Sequence, residues 1–127
     1  MLPLLARIRE KVDCAVAAQP VPYRTDAAAL TMQTLRSEAG QQAFPLALEP
    51  FGCTRFDMAQ FALQAHDLGV EYVGICCGAG PHHVRAMAEA LGREVPASKY
   101  SPSMDLHPML GASVSAKDAA FLTSWSA

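Results

Sequence analysis

Residues 54–92 place a helix, a short apolar strand, a glycine-rich loop and a second helix in direct succession. Thr54 and Asp57 have the spacing of a capping box, and apolar residues then recur at helical intervals until Gly69. The next six residues are rich in β-branched and aromatic side chains, which favours a strand. Pro81 suits the first turn of a helix, so a second helix is predicted after it, with a buried apolar face formed by Val84, Met87, Ala88 and Leu91. This alternation predicts an α/β fold.

The N-terminal half of the chain predicts one more helix and one more strand. Apolar residues spaced by three and four in residues 2–12 indicate a short helix. The apolar run 14–19 is stopped by two prolines, at positions 20 and 22, and predicts a buried strand that ends in a rigid loop. Residues 26–40 predict a weak helix that ends at a glycine, and residues 43–53 predict a packed connection.

Composition excludes several classes of protein. A chain of 127 residues, 51% of them hydrophobic, can bury one ordinary core. The net charge of −2 and the absence of a Lys/Arg-rich run predict no nucleic acid partner. No apolar stretch is long enough to span a membrane and no signal peptide is recognised, so we expect a cytoplasmic protein. Residues 1–92 carry the α/β pattern, and residues 93–127 predict an extended tail.

Two adjacent cysteines, Cys76 and Cys77, follow the predicted strand of the 54–92 segment and precede a helix. This is the position where α/β folds carry their chemistry, and a soft metal such as zinc could bind both sulfurs. Zinc needs about four ligands, or three and an exchangeable position, so this pair alone is not enough. Two alternatives stay open: a pair of small apolar residues packed at a strand end, and a redox-active thiol pair.

The remaining candidate residues have weaker signals. Side chains adjacent on a helix point about 100° apart, so at most one of His82 and His83 is expected to face the cysteines. A surface position is the preferred interpretation for both histidines. Four further residues are assigned to packing, loop or capping positions rather than to chemistry: Cys14, Cys53, Glu49 and Asp57.

The stretch GVEYVGICCGAGPHHVRAMAEAL, residues 69–91, resembles the C-terminal signature of the zinc-dependent homocysteine S-methyltransferases. In that family a Cys-Cys-Gly loop after the last barrel strand is followed by proline, histidine and a helix. The segments QPVPYRT (19–25), LEPFGCTRFDMAQFALQAHDLGVEYVG (48–74) and PASKYSPSMD (96–105) are most similar to the betaine–homocysteine S-methyltransferase branch. The likeness therefore extends through about residue 111.

The resemblance implies the C-terminal portion of a (β/α)8 barrel that holds Zn²⁺ through three cysteine thiolates. Cys76 and Cys77 match the paired zinc ligands of the final strand, and Gly78 shapes their loop. Homocysteine is expected to bind through its sulfur at the open position of the metal. Its thiolate would then take a methyl group from betaine or a related onium donor and give methionine.

The chain departs from the family pattern in its length. By this resemblance the chain holds about the last two strands of the barrel, residues 14–19 and 70–75, and the family's third zinc cysteine would precede Met1. We therefore expect the chain to need the rest of the barrel or an oligomer, with Phe121 and Trp125 as candidate interface residues. The alternatives are a non-catalytic zinc-binding or interaction remnant, in which His82 or His83 completes the coordination, and a redox thiol pair.

Overall fold

The computed structural model describes residues 1–103 of the chain. Residues 1–95 form one compact unit, and a second unit begins at Pro96. The first unit is a mixed α/β structure, and its connection between strands contains two short 3-10 turns. The helices and strands of this unit are α1 (Leu2–Arg9), β1 (Ala17–Ala18), α2 (Arg55–Asp67), β2 (Tyr72–Val73) and α3 (Pro81–Ala90), and the 3-10 turns are Met32–Thr34 and Glu49–Phe51.

The described part of the second unit is a 3-10 helix, Pro96–Tyr100, in which the Lys99 ammonium lies 4.9 Å from the centre of the Tyr100 ring. The division of the chain near residue 93 stays a prediction. Phe121 and Trp125, the two candidate interface residues, lie outside the described residues.

The two strands pair in parallel, with Ala17 opposite Tyr72 and Ala18 opposite Val73. Hydrogen bonds beyond this core continue the ladder: the Gly74 N–H donates to the Ala18 carbonyl at 2.9 Å, and the Cys76 N–H donates to the Pro20 carbonyl at 2.9 Å. The regular strands are shorter than the predicted runs 14–19 and 70–75, and at the carboxyl end of β1 the reason is that Pro20 has no N–H to continue the ladder. Their parallel order agrees with the predicted helix and strand alternation.

Both predicted helices of the 54–92 segment are confirmed. Thr54 is the N-cap of α2: its hydroxyl accepts from the Asp57 N–H at 3.1 Å, and the Asp57 carboxylate accepts from the Thr54 N–H at 2.7 Å. Gly69 follows α2 with φ of +79°, a backbone conformation that glycine adopts without strain. Pro81 is in the first turn of α3, where its missing N–H costs no hydrogen bond.

Helix α2 is the centre of the core and packs on both sides. On one side Ala65 contacts the buried residues of α1 and β1, and on the other side Ala62 contacts Met87 of α3. Both alanines are fully buried, so neither site has room for a larger side chain without displacing its neighbours. The two clusters are formed by Leu5, Val16, Ala18, Ala65 and Val70, and by Met58, Ala62 and Met87.

Part of the predicted apolar faces is left uncovered in residues 1–103. Val84 was expected in the core but is 56% exposed, and Leu4 of α1 is 58% exposed. Val84 and Tyr72 line a groove of about 300 Å³ along the edge of β2. The predicted burial of Val84 is thus wrong. Within the described residues β2 pairs with β1 alone, and nothing covers the other edge of β2.

The weak helix predicted for residues 26–40 is also wrong. The Asp26 carboxylate accepts from the N–H groups of Ala28 and Ala29, both at 2.8 Å, and so forms a turn. Short polar side chains compete with helical hydrogen bonds in this way, which explains why only the turn Met32–Thr34 follows. None of the helices in residues 1–103 is long and apolar enough to cross a membrane.

Candidate functional site

Cys76 and Cys77 lie in the loop that leaves the carboxyl end of β2. Both are exposed free thiols, and their sulfur atoms are 3.5 Å apart. Tetrahedral zinc with Zn–S bonds of about 2.3 Å would separate two thiolate ligands by roughly 3.8 Å. The two side chains therefore point the same way with nearly the separation that two ligands of one metal ion need.

The donor set in the described part of the chain is incomplete. No group of three or more His, Cys, Asp or Glu side chains in residues 1–103 is arranged to hold a metal ion. The separation of the Cys76 and Cys77 sulfurs fits two positions of a zinc site, and within residues 1–103 no third donor is arranged beside them.

His83 is buried, with 7% of its surface exposed, so its predicted surface position is wrong. The Gly80 N–H donates to His83 Nδ1 at 3.0 Å, and therefore Nδ1 carries no proton. The proton is on Nε2, which lies 2.9 Å from the Cys53 carbonyl oxygen and donates to it. Because both ring nitrogens already have hydrogen-bond partners, His83 is not free to bind a metal.

His82 is exposed, as predicted, and its ring centre lies 4.0 Å from that of His83. Loss of hydration is the main cause that lowers the pKa of His82, and repulsion from His83, Arg55 and Arg85 adds to it. The structure therefore separates the two histidines into a buried, hydrogen-bonded residue and an exposed one.

Gly78 follows the cysteine pair with φ of +92°, a region that other residues rarely adopt. A Cβ atom at this position would lie 2.6 Å from the Tyr23 Oη and 2.9 Å from the Tyr23 ring. Tyr23 thus packs directly on the loop, and pattern analysis of the sequence missed it. Its only signal in the sequence is its place in the QPVPYRT segment, which resembles the betaine branch.

The segment that carries Tyr23 is held against the residues before α2. The Cys53 N–H donates to the Pro22 carbonyl at 2.8 Å, and Tyr23 and Gly52 form an antiparallel bridge. Arg24 donates to the Gly52 carbonyl at 2.7 Å and forms an ion pair with Asp57. Hydrogen bonds from Thr54 are the main cause that lowers the pKa of Asp57, and Arg24 adds to it.

The other two cysteines differ from each other. Cys53 is half-buried and packs against the Met58, Ala62 and Met87 cluster, as predicted, and burial is the main cause that raises the pKa of its thiol. Cys14 is exposed, so its predicted packing role is wrong. Glu49 is an exposed residue at the start of the 3-10 turn Glu49–Phe51.

Comparison of the sequence with known protein families gives a match that covers most of the chain. The model of the homocysteine S-methyltransferase family matches residues 1–91, and the chain belongs to this family. Its similarity to betaine–homocysteine S-methyltransferases supports the branch that the sequence motifs indicate.

Three relatives show the extent of the similarity. Betaine–homocysteine S-methyltransferase 1 of Bos taurus is 51% identical over 83 residues, which are 61% of this chain and 18% of that protein. The protein of the same name in Mus musculus is 43% identical over 104 residues, 71% of this chain and 23% of that protein. S-methylmethionine–homocysteine S-methyltransferase BHMT2 of Rattus norvegicus is 42% identical over 72 residues, 50% of this chain and 20% of that protein. The chain thus spans about a fifth of the length of these relatives.

Proposed function

We propose that this chain is the C-terminal part of a homocysteine S-methyltransferase and supplies two zinc ligands, Cys76 and Cys77. The observation that carries the proposal is the exposed pair of sulfur atoms, 3.5 Å apart, in a glycine loop at the carboxyl end of a parallel strand. In the proposed whole protein β1 and β2 are the last two strands of a (β/α)8 barrel, whose sites lie at this end of the strands.

The metal and the chain have separate roles in the proposed reaction. When bound, zinc would favour the thiolate form of homocysteine near neutral pH, which makes its sulfur a nucleophile for the methyl group of the donor. Cys76 and Cys77 act only as ligands in this scheme, and no protein side chain is methylated. The loop presents both thiols to solvent, so a third ligand and the substrate can approach from the same side.

The rest of the site has to come from other residues. The uncovered edge of β2, with Val84 and Tyr72 exposed, is where another strand of the barrel would pair. We therefore propose that further chain, either covalently continuous or a separate polypeptide or copy, covers this edge and supplies the third ligand.

The substrates follow from the relatives' names. We propose homocysteine as the acceptor, because it is common to the family model and to the relatives. Betaine and S-methylmethionine both appear as donors in those names, so an onium methyl donor is the class we propose, with betaine first. We place the reaction in the cytosol, where exposed free cysteines stay reduced.

The test is complementation. The full 127-residue chain is mixed with a polypeptide that contains the part of the Bos taurus relative N-terminal to the matched region. Zinc content and methionine formation from homocysteine and betaine are measured in the purified complex. We expect near-stoichiometric zinc and methyl transfer, and the loss of both in Cys76→Ser and Cys77→Ser.

Cys14→Ser is the matched control, because Cys14 is equally an exposed cysteine but lies in a bend before β1, whereas the loop follows the carboxyl end of β2. We expect it to bind zinc and transfer methyl groups like the unmodified chain. A complex that forms but holds no zinc, or that loses as much zinc with Cys14→Ser as with Cys76→Ser, would contradict the proposal.

A redox thiol pair is the second candidate, and the same 3.5 Å separation favours it. With hydrogen peroxide as oxidant, both thiols lose their hydrogen atoms, one S–S bond forms, and peroxide is reduced to two molecules of water. Mass spectrometry after mild oxidation would show the loss of two hydrogen atoms in the peptide that contains the pair. Rapid oxidation that is unaffected by saturating zinc would favour this candidate over metal binding.

A further inference from the structure

We propose that His83 is a positioning residue for the Cys76–Cys77 pair and acts as a neutral imidazole with its proton on Nε2. It does not bind the metal or the substrate; it fixes the backbone from which the two thiols project. The inference rests on the proposed function for its catalytic meaning, but the hydrogen bonds that carry it are features of this chain alone.

The loop of residues 76–80 is held at three points. At its start, the Cys76 N–H donates to the Pro20 carbonyl at 2.9 Å. In its middle, Gly78 lies against the Tyr23 ring, without space for a side chain. At its end, the Gly80 N–H donates to His83 Nδ1 at 3.0 Å. Only the third point depends on a side chain that bonds the loop backbone.

His83 connects this third point to the other two. Its Nε2 donates to the Cys53 carbonyl, and the Cys53 N–H donates to the carbonyl of Pro22, the residue before Tyr23. The end of the loop is therefore fixed to the same segment whose tyrosine contacts its middle. Loss of the imidazole would leave Gly80 without this acceptor and would remove the link to Cys53.

The imidazole suits this role because it offers an acceptor and a donor on one rigid ring. The acceptor meets the Gly80 N–H, and the donor meets the Cys53 carbonyl, 30 residues away in the sequence. Protonation of both nitrogens would place the Nδ1–H against the Gly80 N–H, donor against donor. Burial of the ring keeps water from replacing either partner.

Removal of the His83 side chain is expected to lower the affinity for metal. Only three residues separate Cys76 from Gly80, so a displaced Gly80 moves the backbone of both cysteines. Groups that orient metal ligands without touching the metal typically change affinity by about 10–100-fold when they are removed. We therefore expect His83→Ala to weaken metal binding by about tenfold or more.

The experiment uses the full 127-residue chain and Co²⁺, whose thiolate charge-transfer absorption reports binding by cysteines. Affinities are measured for the unmodified chain and for His83→Ala, His83→Asn and the matched control His66→Ala, an exposed histidine on α2. The Asn oxygen retains an acceptor for Gly80, so partial rescue is expected. Urea unfolding without metal separates affinity from stability.

Nuclear magnetic resonance gives a readout that does not depend on the metal. Long-range ¹H–¹⁵N spectra of the metal-free chain should show His83 neutral with its proton on Nε2, and the Gly80 amide should be protected from exchange in this chain but not in His83→Ala. A proton on Nδ1, a Gly80 amide equally protected in His83→Ala, or a Co²⁺ affinity that falls no more than in His66→Ala would overturn the positioning role.

The two proposals fail in different ways. If the unmodified chain binds no Co²⁺ through its thiols, and the complemented complex holds no zinc, the proposed function is wrong. The tautomer of His83 and the protection of Gly80 still decide the positioning role in that case. If instead metal is bound but neither NMR signature is seen, the positioning role is wrong and the proposed function stands.

Discussion

The cysteine loop and the outer edge of β2 are adjacent in sequence but differ in how complete they are. The loop is held by partners within the described residues: Pro20, Tyr23 and, through His83, Cys53. The edge of β2 leaves Tyr72 and Val84 exposed beside an uncovered groove. Residues 1–103 thus contain the contacts that shape the loop of the proposed metal site, whereas they leave one edge of β2 uncovered.

This difference predicts which substitutions affect the isolated chain and which affect only its association with further residues. Changes in the loop and its supports should be detectable in the chain alone, through stability or metal affinity. Changes beside the edge of β2 should have little effect until the rest of the proposed barrel is supplied. The predictions that follow test this division, beginning with the largest expected effect.

Val84→Asp should abolish complementation and leave the isolated chain almost unchanged. Val84 is 56% exposed, so an aspartate there should alter the free energy of unfolding by less than about 0.5 kcal/mol. An unpaired charge buried under an added strand costs about 3–5 kcal/mol, which weakens association by roughly 100-fold or more. Association is measured by titration with the N-terminal polypeptide of the Bos taurus relative.

Leu46→Asp is the control for this experiment, since Leu46 is 89% exposed and does not line the groove beside β2. It should associate like the unmodified chain. Equal loss of association in both variants would show that the edge of β2 is not the surface that the rest of the proposed barrel covers.

Gly78→Ala should destabilise the chain by about 3 kcal/mol. Positive φ costs a non-glycine residue about 1–2 kcal/mol, and crowding against the Tyr23 ring adds about 1–3 kcal/mol. Combining Gly78→Ala with Tyr23→Ala should remove the second contribution and keep the first. Urea unfolding of the double-mutant cycle measures the coupling, and additive effects would mean that Tyr23 does not rest on the loop.

Thr54→Ala should cost about 1 kcal/mol of stability, the usual price of an N-cap hydroxyl. The Thr54 hydroxyl accepts from the Asp57 N–H, and alanine leaves that donor without its partner. Thr54→Ser keeps the oxygen and should recover most of the loss. Thermal unfolding compares the three chains, and an equal loss in serine and alanine variants would assign the effect to the methyl group.

The smallest expected effect is the loss of the stabilisation by Asp57 in acid. Its pKa is lower in the folded chain than in the unfolded chain, so its stabilisation is complete above the unfolded value, about 3.9, and is lost as the pH falls through the folded value. Asp57→Asn should therefore flatten the acid side of the curve of stability against pH. Urea midpoints measured across the acid range would show this, and parallel curves for the two chains would contradict it.

Local signals were enough to predict the 54–92 segment. The capping box of Thr54 and Asp57, the glycine that ends α2 and the proline that opens α3 act within a few residues of each other, so periodicity and capping rules identify them. The resemblance then placed Cys76 and Cys77 on a loop that the structure shows to be exposed. Their role as zinc ligands stays a prediction.

Long-range contacts explain what sequence reasoning missed. The burial of His83 depends on a carbonyl 30 residues earlier, and Tyr23 reaches the loop only because its segment pairs with the residues before α2. Helical periodicity predicted burial for Val84 because it does not register which elements pack against the helix. Cys14 was assigned to packing by residue type, although the regular strand begins after it, at Ala17.

Pro20 has a consequence for where the sheet stops. The Pro20 carbonyl accepts a hydrogen bond from the Cys76 N–H, but the Pro20 ring nitrogen has no hydrogen to donate to β2. The ladder therefore ends with a single hydrogen bond at this residue. Strand pairing therefore ends at Cys76 and does not propagate into Cys77, so the pleat, which would turn neighbouring side chains to opposite faces, is not imposed across the pair. A proline 56 residues upstream is thus a reason why two consecutive thiols can point the same way.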